Sequence, residues 1–246
     1  MEEKLFNKKR KVSFGKFCQK IKKINSFNFI NDLSNACNGN ESIITDMGTS
    51  FSCTMQTFSI KNSNKQRLYT SSGLAAMGFG LPGAIGSSIA NPKRDIICIT
   101  GDGGLMFNLQ ELQTVKNYKL PIKIFILQNK GYLTMKLMQK RNFKLYVGSE
   151  QSSGLTFPDF KKVSLSFGIK YKKLKPNNVY NQLKKIFKIK ESLIVEVEID
   201  EYQELVPRLQ SYLTKKGDFI NPKFDDLFPP LDKELLIAEK NKAKSI

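Results

Sequence analysis

The sequence predicts an α/β protein, a three-layer sandwich in which helices cover both faces of a mainly parallel sheet. Short apolar runs of strand length alternate along the chain with amphipathic stretches of helix length. The central runs 95–100 and 122–127 are mostly apolar, and the amphipathic stretch 105–117 lies between them. A strand–helix–strand unit of this size joins two strands that run in the same direction, so a parallel sheet is expected.

The elements before this unit are less regular. Residues 27–37 carry apolar side chains at helical spacing, and residues 42–46 predict a short buried strand that ends in an acidic residue. Residues 47–60 fit neither pattern, whereas the small side chains of residues 74–90 favour close helix packing. Beyond the central unit the pattern predicts further elements, helices at 158–167 and 178–189 and strands at 169–173 and 193–199.

We expect one folded domain at residues 27–205. A basic tail or linker at 1–26 precedes it, and a Pro-rich extension at 206–246 follows it. Three apolar residues are expected to anchor this extension: Phe224, Leu227 and Phe228.

Several classes of protein are excluded by composition. The chain has no His, and its four cysteines lack CxxC spacing, which argues against a zinc site and against imidazole catalysis. Cys98 lies in an apolar run and is predicted to be a buried, reduced thiol. No apolar run approaches the roughly 18–20 residues that span a bilayer, and the N-terminus has no apolar signal segment. A cytoplasmic protein without a membrane partner is expected.

The formal net charge of +18 suggests a nucleic-acid partner. Nearly all of this charge is lysine, however, and it is spread along the chain. Nucleic-acid recognition favours arginine forks and interleaved aromatic residues, and neither pattern is present. We therefore predict a solvated basic surface and no specific nucleic-acid partner.

Two neighbouring strands of the predicted sheet are each followed by a polar side chain, Asp102 after the first and Asn129 after the second. Glycines that leave the backbone open to a ligand accompany them: Gly101, Gly103, Gly104 and Gly131. Ligands of an open parallel sheet bind beyond the carboxyl ends of its strands. A carboxylate, an amide oxygen and a main-chain carbonyl suit Mg²⁺, and the amides that open the next helix favour a diphosphate.

Ordinary structural interpretations compete with this one. An Asp after a strand often caps a helix, and an Asn at a strand end is commonly a loop residue. Met77 would more often be a core residue. The combination of Asp102, its glycines and Asn129 favours a ligand site over a helix cap.

These residues resemble the thiamine-diphosphate-dependent enzymes, in which a Gly-Asp-Gly sequence is followed by an Asn at the next strand end. The resemblance is strongest to the acetolactate synthase group and runs from about residue 27 into the C-terminal tail. The segments that carry it are SSGLAAMGFGLPGAIG, GDGGLMFNLQELQTVKNYKLPIKIFILQN, GYLTMK, VPRLQSY and DDLFPPLDKE. Gln128 departs from the Asn-Asn pair of many members, but the metal-binding Asn is the second of the pair.

The resemblance implies a thiamine-diphosphate-binding fold and a set of site residues. Mg²⁺ would be bound by the side chains of Asp102 and Asn129 and by the carbonyl of Gly131. Met77 would support the bent cofactor, and Ala75 and Met77 would offer backbone groups to its aminopyrimidine ring. The full cofactor-binding set is Ala75, Met77, Gly101, Asp102, Gly103, Gly104, Asn129 and Gly131.

The resemblance also implies the reaction and its partners. Such enzymes decarboxylate a 2-oxo acid and then ligate or protonate the carbanion. Their activating glutamate lies on a separate pyrimidine-binding domain, and neither Glu41 nor Glu111 falls at a matching position. We therefore expect no catalytic residue on this chain. Two interpretations stay open: a split enzyme in which another chain supplies the pyrimidine-binding half, and a non-catalytic residual fragment. The expected partners are such a pyrimidine-binding chain, a homo-oligomer, or both.

A dinucleotide-binding oxidoreductase is the remaining alternative. Residues 78–83 match G-x-G-x-x-G, and Asp102 follows about 20 residues later. This fingerprint should follow a buried strand directly, yet the preceding residues are small and mixed. Pro82 also falls where the helix should open. The alternative leaves the glycines around Asp102, and Asn129, without a role.

Overall fold

A computed structural model of the chain describes residues 23–224, 227–229 and 232–244. Its centre is a six-stranded sheet in which every neighbouring pair is parallel. The strands are β1 (Ser42–Thr45), β2 (Arg67–Thr70), β3 (Ile96–Gly101), β4 (Ile122–Gln128), β5 (Lys170–Lys173) and β6 (Leu193–Glu198). Their order across the sheet is β2-β1-β3-β4-β6-β5. The predicted parallel sheet is confirmed.

Helices cover both faces of this sheet. They are α1 (Ser26–Ala36), α2 (Thr49–Thr57), α3 (Gly80–Ala90), α4 (Asp102–Met106), α5 (Leu112–Asn117), α6 (Leu133–Asn142), α7 (Phe160–Ser166) and α8 (Val179–Phe187). Alternate residues of β3 point to opposite faces, as strand geometry requires. Ile97 and Ile99 join the core beneath α1 and α8, whereas Ile96 and Cys98 join the core beneath α3 and α5. The three-layer architecture is therefore confirmed.

The prediction of one helix at 105–117 is wrong, because this segment is broken into shorter helices. Helix α4 begins at Asp102 and ends at Met106, and a 3₁₀ turn at Leu109–Glu111 separates it from α5. The break occurs at Asn108, which has φ −136° and ψ 34°. Its side-chain Nδ2 donates a hydrogen bond of 2.9 Å to the carbonyl oxygen of Gly78. The helix is therefore interrupted where Asn108 turns to bind a distant loop.

Helix α6 has an irregular pattern of burial and polarity that a periodicity search does not recognise. Lys136 is almost wholly buried in the middle of it, while Met135 and Met138 are exposed. An amphipathic helix normally shows the opposite arrangement. The segment 47–60, whose sequence fits neither a helical nor a strand pattern, contains α2. The sequence of this helix, TSFSCTMQT, is mostly polar.

The termini of the domain are only partly described. Most of the predicted linker 1–26 lies outside the described residues, but Ile24 is buried and pairs with Ile199. The C-terminal extension contains a small hairpin, β7 (Tyr212–Leu213) with β8 (Phe219–Ile220), and a helix α9 (Lys233–Lys244). Phe224 is 89% exposed, so the prediction that it anchors the extension is wrong. The domain boundaries stay predictions.

The thiols within the described part of the chain are buried and free, at Cys37, Cys53 and Cys98. Cys98 is the buried small residue predicted. In the same part of the chain, no helix combines the length and the apolar character needed to cross a membrane.

Candidate functional site

The carboxyl ends of β3 and β4 lie side by side, since Gly101 pairs with Leu127 in the parallel register. This register brings Asp102 next to the turn that carries Asn129. Asp102 Oδ2 accepts hydrogen bonds from the main-chain amides of Asn129, at 3.1 Å, and Gly131, at 3.3 Å. One carboxylate therefore joins the two strand ends that the sequence pattern singled out.

The Asp102 carboxylate is buried, and the nearby Lys136 ammonium group acts on it electrostatically without forming an ion pair with it. Asp102 is 1% exposed, and among the described residues none of the ion pairs includes it. Burial raises the pKa of this carboxyl to about 6, although main-chain amides of both turns oppose the shift. A divalent cation would relieve the desolvation of the ionised form.

Asn129 supplies a second buried oxygen. It is 3% exposed, and its Oδ1 atom has no hydrogen-bond partner among the described residues. Its Nδ2 lies 3.5 Å from Thr49 Oγ1. A buried acceptor left unpaired costs about 1–3 kcal/mol, so an unpaired carbonyl oxygen beside a buried carboxylate fits a hard-cation site. No group of three His, Cys, Asp or Glu that could hold a metal was found in the described residues. The candidate set contains a single carboxylate.

All eight residues predicted to bind the cofactor line one cavity of about 250 Å³ at this edge of the sheet. They are Ala75, Met77, Gly101, Asp102, Gly103, Gly104, Asn129 and Gly131. The starts of α2 and α6 complete the wall with Met47, Gly48, Thr49, Tyr132, Leu133, Thr134 and Met135. A larger cavity of about 370 Å³ between α1 and α8 contains none of the predicted residues.

Two glycines at the site, Gly103 and Gly131, are required by close contacts, whereas a Cβ at Gly101 would meet open space. A Cβ at Gly103 would collide with the ring of Tyr132, and a Cβ at Gly131 would collide with the main-chain oxygen of Ser149. The Tyr132 ring also packs edge-on against Phe157, with 6.2 Å between the ring centroids. The backbone is therefore packed tightly at Gly103, which follows Asp102, and at Gly131 on the facing turn.

Met77 and Ala75 lie on the turns between β2 and α3. Met77 is 38% exposed and lines the cavity, so it is not a core residue. Ala75 adopts a positive φ of 56°, an unusual conformation for a residue with a Cβ. Such strain is found where surrounding contacts fix a segment in place.

Two charged residues near the site, Asp46 and Lys136, were not predicted from the sequence to have a role there. Asp46 follows β1, is 1% exposed, and accepts hydrogen bonds from the main-chain amide of Gly78 and the hydroxyl of Thr100, which lie close in sequence to the cavity residues Met77 and Gly101. Its signal was the acid at the end of a buried strand, the same signal that identified Asp102. Lys136 gave no signal, because a lysine in a helix is usually solvated.

Lys136 lies beneath the turn that carries Asn129. Its Nζ is 3.5 Å from the carbonyl oxygen of Asn129 and 3.7 Å from Glu150 Oε2. The same ammonium group lies 4.7 Å from the centroid of the Tyr202 ring. Burial lowers the pKa of Lys136, while the nearby carboxylates, Glu150 first among them, oppose this shift.

The two glutamates considered at the sequence level have structural partners. Glu41 accepts hydrogen bonds from the amide of Gly39, at 3.0 Å, and from Gln66 Nε2, at 2.7 Å. Glu111 accepts a hydrogen bond of 2.8 Å from Thr114 Oγ1. Neither belongs to the described cavity lining, in which Asp102 is the only acid.

The structural context of the G-x-G-x-x-G sequence does not fit a dinucleotide-binding site. The residues that follow β2 form turns before α3, so the glycines at 78–83 do not directly follow a strand. The objection based on Pro82 is wrong, because Pro82 lies in the first turn of α3, where its missing N–H has no helical partner to lose.

Comparison with known proteins gives the family. Residues 46–197 match the model described as "Thiamine pyrophosphate enzyme, C-terminal TPP binding domain". This range contains every residue predicted to bind the cofactor, and thiamine diphosphate with Mg²⁺ is the cofactor that the family implies.

Similar proteins carry the name acetolactate synthase. The chain is 38% identical over 175 residues to a probable acetolactate synthase large subunit of Methanococcus aeolicus, a match that covers 70% of this chain and 28% of the relative. It is 41% identical over 113 residues to acetolactate synthase isozyme 2 large subunit of Escherichia coli (strain K12), covering 45% and 20% of the two chains. It is 31% identical over 148 residues to the chloroplastic acetolactate synthase 1 of Zea mays, covering 58% and 23%.

The chain thus spans less than a third of the length of these curated relatives. The family model, by contrast, matches more than half of the chain, and the matched range contains every residue that lines the cavity described above. The chain belongs to the thiamine pyrophosphate enzyme family, as a C-terminal, cofactor-binding domain of the acetolactate synthase-like kind.

Proposed function

We propose that the chain binds Mg²⁺ through the side chains of Asp102 and Asn129 and the carbonyl of Gly131, and binds thiamine diphosphate through that ion. One observation carries this proposal. Among the described residues, the site contains both a buried carboxylate that forms no ion pair, that of Asp102, and a buried amide oxygen that has no hydrogen-bond partner, that of Asn129. Both groups lie at the wall of one cavity. A hard divalent ion satisfies both.

The remaining cavity residues would hold the diphosphate and the rings of the cofactor. Main-chain groups of Gly103 and Gly104 would contact the diphosphate, with Gly101 in the same cofactor-binding set, and Met77 with Ala75 would support the rings. When bound, thiamine diphosphate supplies a carbanion-forming carbon and an electron sink. The chain's own contribution is binding and orientation.

We further propose that the complete enzyme acts on a 2-oxo acid, by decarboxylation followed by carboligation, as the names of its relatives suggest. The activating glutamate would come from a pyrimidine-binding domain outside these 246 residues, on a partner chain, and copies of this chain would associate in a homo-oligomer. Exposed apolar side chains beside the cavity support such a partner: Leu74, at 93% exposure, Met77, Met135 and Met138. A cytoplasmic location is supported by the free thiols of the described region.

Turnover of pyruvate tests this proposal. The purified chain should show no decarboxylation, and activity should appear when a pyrimidine-binding-domain chain encoded beside it is added. Pyruvate turnover by the single chain would contradict the proposed division of labour. Cofactor binding without turnover in the presence of the partner would favour a non-catalytic fragment.

A further inference from the structure

The Asp46 carboxylate joins two segments of the cavity wall that are distant in sequence. Its Oδ1 and Oδ2 accept the main-chain N–H of Gly78, at 3.0 and 3.2 Å. Oδ2 also accepts the hydroxyl of Thr100, at 2.9 Å, and Oδ1 accepts the N–H of Met47, at 2.8 Å. Gly78 directly follows Met77, and Thr100 precedes Asp102 by two residues.

Glycines from both segments pack against this carboxylate. A Cβ at Gly104 would lie 2.6 Å from Asp46 Oδ2, and a Cβ at Gly80 would lie 3.2 Å from Asp46 Cβ. Real Cβ atoms do not approach an oxygen within 2.6 Å, so a side chain at Gly104 would displace Asp46. The spacing between the two segments therefore depends on the position of this one side chain.

Gly78 is held from its other side as well. Its carbonyl accepts the Asn108 side-chain N–H at 2.9 Å, and its φ of +88° is a conformation that glycine adopts without strain. The end of the Met77 segment is thus fixed between Asp46 and Asn108. Both contacts come from residues that do not line the cavity themselves.

We propose that Asp46 is a positioning residue that aligns the Ala75–Gly78 segment with the Asp102 turn. One part of the cavity would bind the cofactor's rings, and another part would bind the diphosphate and Mg²⁺. Asp46 fixes the position of the first part relative to the second. This inference rests on the proposed function. It predicts that loss of the Asp46 acceptors misplaces the ring-binding segment while the diphosphate site remains.

The test compares two ligands on the full chain by calorimetric titration in Mg²⁺: thiamine diphosphate and inorganic pyrophosphate. Asp46→Ala should weaken thiamine diphosphate at least tenfold and pyrophosphate less than twofold. Asp46→Asn should restore thiamine diphosphate to within threefold of the wild type. Its carbonyl can still accept from Gly78 and Met47, and the Thr100 hydroxyl can turn to accept from its amide.

Two further variants keep the test decisive. Asn108→Ala removes the other contact to Gly78 and should weaken thiamine diphosphate several-fold, which tests the idea even if Asp46→Ala fails to fold. Glu41→Ala is the matched control, because Glu41 is another buried acid, at the opposite end of β1. It should leave the ratio of the two affinities unchanged.

The outcomes separate this inference from the proposed function. Equal loss of both ligands in Asp46→Ala and in Asn108→Ala, or no loss of either, would overturn the positioning role. A shift of the affinity ratio in Glu41→Ala as large as in Asp46→Ala would also overturn it. Failure of the wild-type chain to bind either ligand would instead refute the proposed function.

Discussion

The Asp102 carboxylate accepts a hydrogen bond from the main-chain amide of Asn129, with 3.1 Å between Asp102 Oδ2 and Asn129 N. The bond links the end of β3 to the turn after β4, and it fixes the position of this turn without a bound ligand. The carboxylate has Oδ1 bound to the amide of Gly103, at 2.8 Å. Hydrogen bonds between the Asp102 carboxylate and main-chain amides therefore hold the two proposed metal-binding residues near each other. Less conformational entropy is then lost when a ligand binds.

Replacement of Asp102 by Ala should abolish Mg²⁺-dependent binding of thiamine diphosphate, a loss of at least about 100-fold. The change removes the only carboxylate among the described residues of the cavity lining, and with it the acceptor for the amides of Asn129 and Gly131. Calorimetric titration measures the effect. Asp159→Ala serves as the control, because Asp159 caps α7 away from the cavity lining. An unchanged affinity in Asp102→Ala would remove the metal-site argument.

The affinity for Mg²⁺ should depend on pH through Asp102. Burial raises the pKa of this carboxyl from 3.8 to about 6, so the folded chain binds the proton more tightly than the unfolded chain. The proton therefore stabilises the fold at pH values below 3.8, and this contribution is lost as the pH rises through about 6. Mg²⁺ must displace the same proton, so its affinity should fall about tenfold for each pH unit below the pKa. A flat Mg²⁺ affinity between about pH 5 and 8 would contradict the assignment of Asp102 as a ligand.

Replacement of Lys136 by Met should lower the free energy of unfolding by about 1–3 kcal/mol, because Glu150 and the carbonyl of Asn129 lose a buried donor. It should also weaken Mg²⁺ several-fold, since Asn129 lies on the turn that Lys136 supports. Lys140→Met is the matched control, because Lys140 also lies near the Tyr202 ring, at 5.8 Å, but is exposed. Chemical denaturation and calorimetry provide the two measurements, and equal effects of both variants would argue against the role of Lys136.

The thiols of the described region should resist alkylation in the folded chain. Burial raises the pKa of Cys53 to about 12, and it raises the pKa values of Cys37 and Cys98 well above their ordinary range. Because the thiolate is the nucleophile, a pulse of iodoacetamide at about pH 8 should leave these three residues unmodified. Peptide mapping by mass spectrometry checks this, with unfolded chain as the positive control. Rapid labelling of Cys98 in folded chain would show that its environment is open.

The sequence predicted the centre of the site because the centre follows from local rules. Asp102 and Asn129 each follow an apolar strand of one strand–helix–strand unit, and parallel strands in such a unit bring their carboxyl ends to the same edge. The glycines beside them were visible at the same time. Strand order alone then places the two side chains next to each other, without knowledge of the remaining fold.

The supporting contacts could not be predicted, because they join residues that are distant in sequence. Asp46 binds Gly78 and Thr100 across separations of 32 and 54 residues, and its own position carried only the weak signal of an acid after a strand. Helix α6 was missed because Lys136 is buried where an apolar residue is expected. The break at Asn108 depends on a hydrogen bond to another segment rather than on local propensity.

The most direct test of the account is a calorimetric titration of the wild-type chain with thiamine diphosphate, performed once with excess Mg²⁺ and once with EDTA. The account predicts saturable binding near one cofactor per cavity in Mg²⁺, and a loss of at least about 100-fold in affinity in EDTA, because the diphosphate is held through the ion. Binding of equal affinity in the two buffers, or no binding in either, would contradict it.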